Sequence, residues 1–165
     1  MNLTAALVFL LALAGPAERP AATGDIGVSM IAVEATDETP GLRDADTKPE
    51  KHFGPGLDIP TCDALKELPY TSFRKIANGT IKTDFEREAR LPIDDTYTLC
   101  VEPLSKDSAG LIRAKVWIEE RVEDADAKEP VRKALVTTVK AVPGDKMILD
   151  GLKLKVLYDD GLAAY

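Results

Sequence analysis

The chain has 165 residues, of which 45% are hydrophobic and 30% charged, with a formal net charge of −7 and a pI near 4.8. That length and composition fit one globular domain and exclude a disordered or fibrous chain. The acidic surface repels phosphate backbones and anionic headgroups, so nucleic acid is not an expected partner; its plainer role is solubility.

The chain opens MNLTAALVFLLALA. Residues 3–14 are nearly all apolar and rich in helix formers, yet too few to cross a bilayer, which takes about 20. Ala12, Leu13 and Ala14 put small residues where a signal peptidase reads, and Gly15-Pro16 follows as a helix breaker. Residues 1–14 are therefore expected to be a cleavable signal peptide. The n-region lacks Lys and Arg, so an uncleaved N-terminal helix is the alternative. On this reading the mature protein starts near Gly15 or Glu18, is periplasmic or secreted, and has no stable membrane insertion. Residues 15–24 read as a flexible lead-in, and residues 25–165 as a single β-rich domain.

Residues 25–36, DIGVSMIAVEAT, read as a first strand. Both of its faces are largely apolar, which predicts a strand covered on both sides. Residues 37–60 are polar and dense in Pro, Gly and Asp, as in functional or disordered loops. This loop holds the only histidine, His52, followed by Phe53. Residues 61–68 predict a short helix, with Thr61 as N-cap, Asp63 in the first turn and Pro69 as the stop.

From Ser72 onward the pattern is β. Phe73, Ala77, Ile81 and Phe85 share one parity. Asn78-Gly79 is either a type I′ hairpin turn or a flaw in one long strand. A hairpin would set Lys75 opposite Lys82, so a single kinked or bulged strand is favoured. Short strands follow at 88–93 and from Tyr97, where Leu99 and Val101 oppose Cys100 in parity. The cleanest alternation is at 111–122: Ile112, Ala114, Val116 and Ile118 inward, Arg113, Lys115, Trp117 and Glu119 outward. Residues 131–142 form a β-branched strand. Asp150-Gly151 predicts a hairpin between 147–149 and 152–158. The fold class is all-β: a β-sandwich of about seven to eight strands with one short helix near residues 61–68.

The passage CDALKELPYTSFRKIANGT, from Cys62 to Thr80, resembles an uncharacterised family of exported β-rich bacterial proteins. Leu65, Leu68, Tyr70, Ser72, Phe73 and Arg74 fit its helix-to-strand passage. The end of the chain, a strand, Pro143-Gly144, a short strand, Gly151 and a last apolar strand, fits as well. The resemblance implies an exported β domain and no known activity.

Cys62 and Cys100 are the only cysteines. In an exported chain such a pair is expected to be a disulfide. Closing its loop of about 38 residues would contribute roughly 4 kcal/mol by chain entropy. Two buried free thiols are the alternative. His52 lies in a Gly-Pro loop without a nucleophile motif around it, so no catalytic residue is assigned. Carboxylates at Asp124-Ala125-Asp126 and Asp159-Asp160 match no calcium loop, and no cofactor or metal is expected. The remaining distinctive features are surface ones: the outward Trp117 beside Arg113, and His52 with Phe53 in the long loop. These four are the candidate partner contacts of a non-catalytic binding or structural module with a protein partner, such as a subunit of a cell-envelope assembly. The alternative is an extracellular or periplasmic enzyme or enzyme inhibitor acting on an envelope substrate.

Overall fold

Alternating apolar residues make a strand two-sided, and two such faces can bury each other only by stacking. The computed structural model describes residues 5–14, 26–37, 50–122 and 131–154. Among these, nine strands make two sheets. The strands are β1 (Ala5–Ala14), β2 (Ile26–Thr36), β3 (His52–Phe53), β4 (Ser72–Thr83), β5 (Ala89–Pro92), β6 (Tyr97–Lys106), β7 (Ile112–Arg121), β8 (Val131–Ala141) and β9 (Lys146–Leu154). One helix, α1 (Ile59–Leu65), lies between β3 and β4. The first sheet has the order β3-β4-β2-β1-β9 and the second β5-β6-β7-β8. The fold is all-β, as the alternation predicted.

The main core lies between the sheets. Phe9, Leu11, Leu13, Val28 and Met30 from the first sheet meet Leu99, Val101, Ile112, Ala114, Val116 and Ile118 from the second. The four inward residues predicted on β7 are all fully buried. A second, smaller core covers the outer face of the first sheet. There Val8, Leu10, Val33, Ala35 and Phe73 pack with Leu65 of α1. β2 is thus covered on both sides, as its doubly apolar pattern required.

The largest departure from the sequence reading is at the N terminus. Residues 5–14, read as part of a leader, are strand β1, paired antiparallel with β2 on one side and β9 on the other. Phe9, Leu11 and Leu13 point into the main core, and Val8 and Leu10 into the smaller one. All five are at most 2% exposed. An interior strand buried on both faces must be apolar at every position, which is also the composition of a leader's apolar region. The helix propensity of Ala and Leu is a few tenths of a kcal/mol per residue. Burial at roughly 1.5–3 kcal/mol per side chain overrides it. The lead-in at 15–24 lies outside the described residues.

Three smaller expectations are corrected. Helix α1 starts earlier, because Asp58 rather than Thr61 caps it: its carboxylate accepts from the Thr61 N–H at 2.9 Å. β4 is one continuous strand through Asn78-Gly79, as favoured over the hairpin. A bulge opposite Ala32 and Val33 flips its parity, so Phe73 faces the smaller core while Ala77 and Ile81 face the main one. Asp150-Gly151 is not a hairpin within the described residues. β9 runs through it beside β1, with an irregularity where Leu7 pairs with Leu152 and Val8 with Asp150. A continuous partner strand holds both Gly sites extended.

The expected disulfide is also corrected: both cysteines are free. Cys62 travels with α1 on the outer side of the first sheet. Cys100, on β6, has the parity opposite to Leu99 and Val101 and faces outward from the second. Stacked sheets are about 10 Å apart, whereas a disulfide needs Cα atoms within about 7 Å. The sandwich itself separates the pair.

Gly79 carries a packing role. A Cβ added there would lie 2.9 Å from Leu91 Cδ2 of β5. Gly79→Val is expected to cost about 1–3 kcal/mol by overpacking, seen as a lower urea midpoint with an unchanged slope. Leu11→Ala should cost about 3 kcal/mol. The five buried side chains of β1 together contribute on the order of 10 kcal/mol, comparable to the whole net stability of a domain. A chain starting after residue 14 is therefore expected not to fold. Its far-ultraviolet circular dichroism and thermal melt check this, and a cooperative native melt would refute it.

Candidate functional site

The outer face of the second sheet carries a row of side chains set by register alone. Arg90 on β5 pairs with Cys100 on β6, Cys100 with Trp117 on β7, and Trp117 with Val136 on β8. Trp117 does face away from the main core, as its parity predicted, but it is only 4% exposed. Lys115 and Lys133 lie over its ring, with Nζ 5.6 and 4.8 Å from the centroid. Its indole N–H donates to Glu119 at 3.2 Å. The lysine stems supply apolar cover while their ammonium groups stay in water.

Cys100 is buried beneath a cluster of charges. Arg90 donates to Glu88 at 2.6 Å and also to Glu119. Burial pushes the Cys100 thiol up to about 12, and the carboxylates of Glu119 and Glu88 push the same way against Arg90. The Arg90 hydrogen bond holds Glu119 below the usual carboxylate range. Donor atoms of Glu88, Cys100 and Glu119 lie within 4.8 Å of one another, a spacing a cation could bridge. Arg90 already supplies the positive charge between the two carboxylates. The cluster is therefore a charge-matched lid over Cys100.

The four predicted contact residues fall into two places. Arg113 and Trp117 share the outer face of β7. His52 and Phe53 form β3, in the other sheet, where the His52 N–H donates to the Thr71 carbonyl at 2.8 Å. Phe53 stacks on Phe73 at 5.2 Å between ring centroids, so it serves packing, while His52 is exposed. Glu88, Arg90, Glu119 and Lys133 were not singled out from the sequence. Their meeting depends on strand register across separations such as that from Arg90 to Glu119, which no local pattern carries.

The segment from Asp58 to Tyr70 is tied across to β9. Lys146 lies 3.8 Å from Asp58, and the Tyr70 hydroxyl donates to Asp150 at 3.1 Å. Partial burial and this Asp150 contact push Tyr70 up to about 12. These are side-chain contacts; β9, nine residues long, is itself an edge strand with no backbone partner on its far side among the described residues.

β8 is likewise an edge strand, of eleven residues, with no partner on its far side among the described residues. Val131 is 40% and Val136 54% exposed. The edge strands β3 and β5 are only two and four residues long. Long open edges are templates for another strand. Among the described residues no helix is long and apolar enough to cross a membrane.

The thiols give a direct check. Cys62, partly accessible, is expected to alkylate in the native protein, and Cys100 only after unfolding. Because the folded thiol of Cys100 titrates above its ordinary value of 9.0, its contribution to stability is complete below pH 9 and is lost as pH rises toward 12. Native and denatured alkylation read by peptide mass, with denaturant melts across the alkaline range, test both statements. Rapid native labelling of Cys100 at neutral pH would refute them.

No protein-family model, no curated protein and no solved structure matches this chain.

Proposed function

We propose that this chain is a non-catalytic binding module whose partner is a protein, held by adding an extended segment of that partner to β8. The observation that carries this reading is the eleven-residue edge of β8, which has no partner on its far side among the described residues. A strand edge of that length offers a row of backbone donors and acceptors, and side-chain positions beside it supply selectivity. Further support comes from the carboxylates. Glu88 and Glu119 converge, but Arg90 pairs with both, and Glu119 is held down rather than raised. A general acid would need the opposite shift.

Peptides selected from a random extended library test the reading by hydrogen exchange. Bound peptide is expected to slow exchange of β8 amides while leaving β3 and β5 unchanged. Consecutive strand residues alternate in the direction of their N–H groups. Of Val136→Pro and Thr137→Pro, one therefore removes a bond to β7 and the other only an open-edge donor. The second variant is expected to keep the native fold and bind selected peptides at least about tenfold more weakly. Peptides that bind without protecting any β8 amide would overturn the proposal.

A further inference from the structure

The charges beside the open edge specify what kind of strand fits it, provided the strand-addition reading holds. Arg113 of β7 and Lys140 of β8 are direct cross-strand partners, both exposed. Like charges in that position repel, and no ion pair to either is found among the described residues. The next outward pair along the two strands is Lys115 and Thr138. Lys133 lies further along, over Trp117. By contrast Arg132 is satisfied by Glu120, with its Nε 2.9 Å from the carboxylate. Lys115 also stands opposite Glu102 of β6 and Lys133 opposite Glu119 of β7, so the unmatched cations beside this edge are Arg113 and Lys140, in a chain whose net charge is −7.

The other side of the same edge is apolar. Leu135 and Val139 of β8 and Met147 of β9 are partly buried hydrophobic residues packed at the margin of the main core. They sit where the two sheets come together through the turn after β8. In that turn the Gly144 N–H donates to the Leu13 carbonyl at 2.8 Å. A strand added to β8 alternates its side chains between these two environments, because successive residues point to opposite faces.

We infer that the partner segment is an extended peptide of alternating acidic and apolar residues. Its outward carboxylates stand beside Lys140, with Arg113 one strand further in, and its apolar side chains point inward against Leu135, Val139 and Met147. Glutamate or aspartate beside Arg113 and Lys140 converts a repulsive pair into a bridged one. The inward residues extend the core by one strand.

The test uses the full chain and three peptides the length of β8, in which Val alternates with Glu, with Gln or with Lys. The sole tryptophan, Trp117, lies under Lys115 and Lys133 on this face, so its emission reports binding. The Glu peptide is expected to bind at least about tenfold tighter than the Gln peptide, and the Lys peptide weakest. The advantage should shrink as salt rises above about 0.1 M, where charges are screened beyond ~10 Å. The double variant R113E/K140E is expected to reverse the order, with its melt confirming that it folds.

Equal binding of all three peptides, each protecting β8 amides, would overturn the acidic specificity and leave strand addition standing. Binding of none, with no β8 protection by any selected peptide, would overturn both. Self-association through β8 that the Glu peptide does not compete away would assign the edge to a second copy of this chain and overturn the inference.

Discussion

Burial of β1 is the constraint on which the other features depend. This strand lies between β2 and β9, so it joins a segment near the start of the chain to one near its end. Its two faces feed both cores. Without Phe9, Leu11 and Leu13 the main core loses one wall. Without Val8 and Leu10 the α1 layer loses the surface it sits on. The small hydrophobic stabilisation of each residue is multiplied because one strand serves two interfaces. The bond from Gly144 to the Leu13 carbonyl shows the same coupling at the corner where the chain passes from β8 to β9.

That arrangement determines which edges stay open. In the first sheet the two-residue β3 pairs with the start of β4, and β9, the other edge, is touched by the side chains of Asp58 and Tyr70. The second sheet is a simple meander from β5 to β8. A meander uses each strand once and leaves its last strand with one free side. Among the described residues β8 is that strand, eleven residues long. Its exposed valines and adjacent cations belong to the same eleven residues and their β7 neighbours.

The outer face of the second sheet illustrates how charge substitutes for a covering layer. Cys100 and Trp117 are buried there although no helix covers them. Lys115 and Lys133 lie over the indole, and Glu88 and Glu119 hold the Arg90 guanidinium beside the thiol. Exposed ion pairs contribute little energy individually, about 0–1 kcal/mol. Their role here is geometric: they keep long side chains lying flat, which keeps water from the thiol and the indole.

The strands of the second sheet were legible because their signal is local. Period-two alternation identified β7 residue by residue, and the turn residues at Asp94-Asp95 and Pro143-Gly144 marked boundaries that the structure keeps. The doubly apolar pattern of β2 likewise announced cover on both faces. The strand at residues 5–14 was not legible, because a doubly buried strand and the apolar stretch of a leader share one composition and its pairing with β2 and β9 is a tertiary property. The like-charge pair Lys75 and Lys82 already argued against a hairpin at Asn78-Gly79, whereas at Asp150-Gly151 only the long partner strand β1 beside it decides against the turn. The cysteines followed the same rule. Their number permitted a disulfide, while their distance was a property of two stacked sheets. The Arg90 cluster and the pairing of Arg113 with Lys140 depend on register, which sets side chains from distant parts of the chain opposite one another. Local periodicity was written in the sequence, and everything that required one strand to find another was decided by tertiary packing.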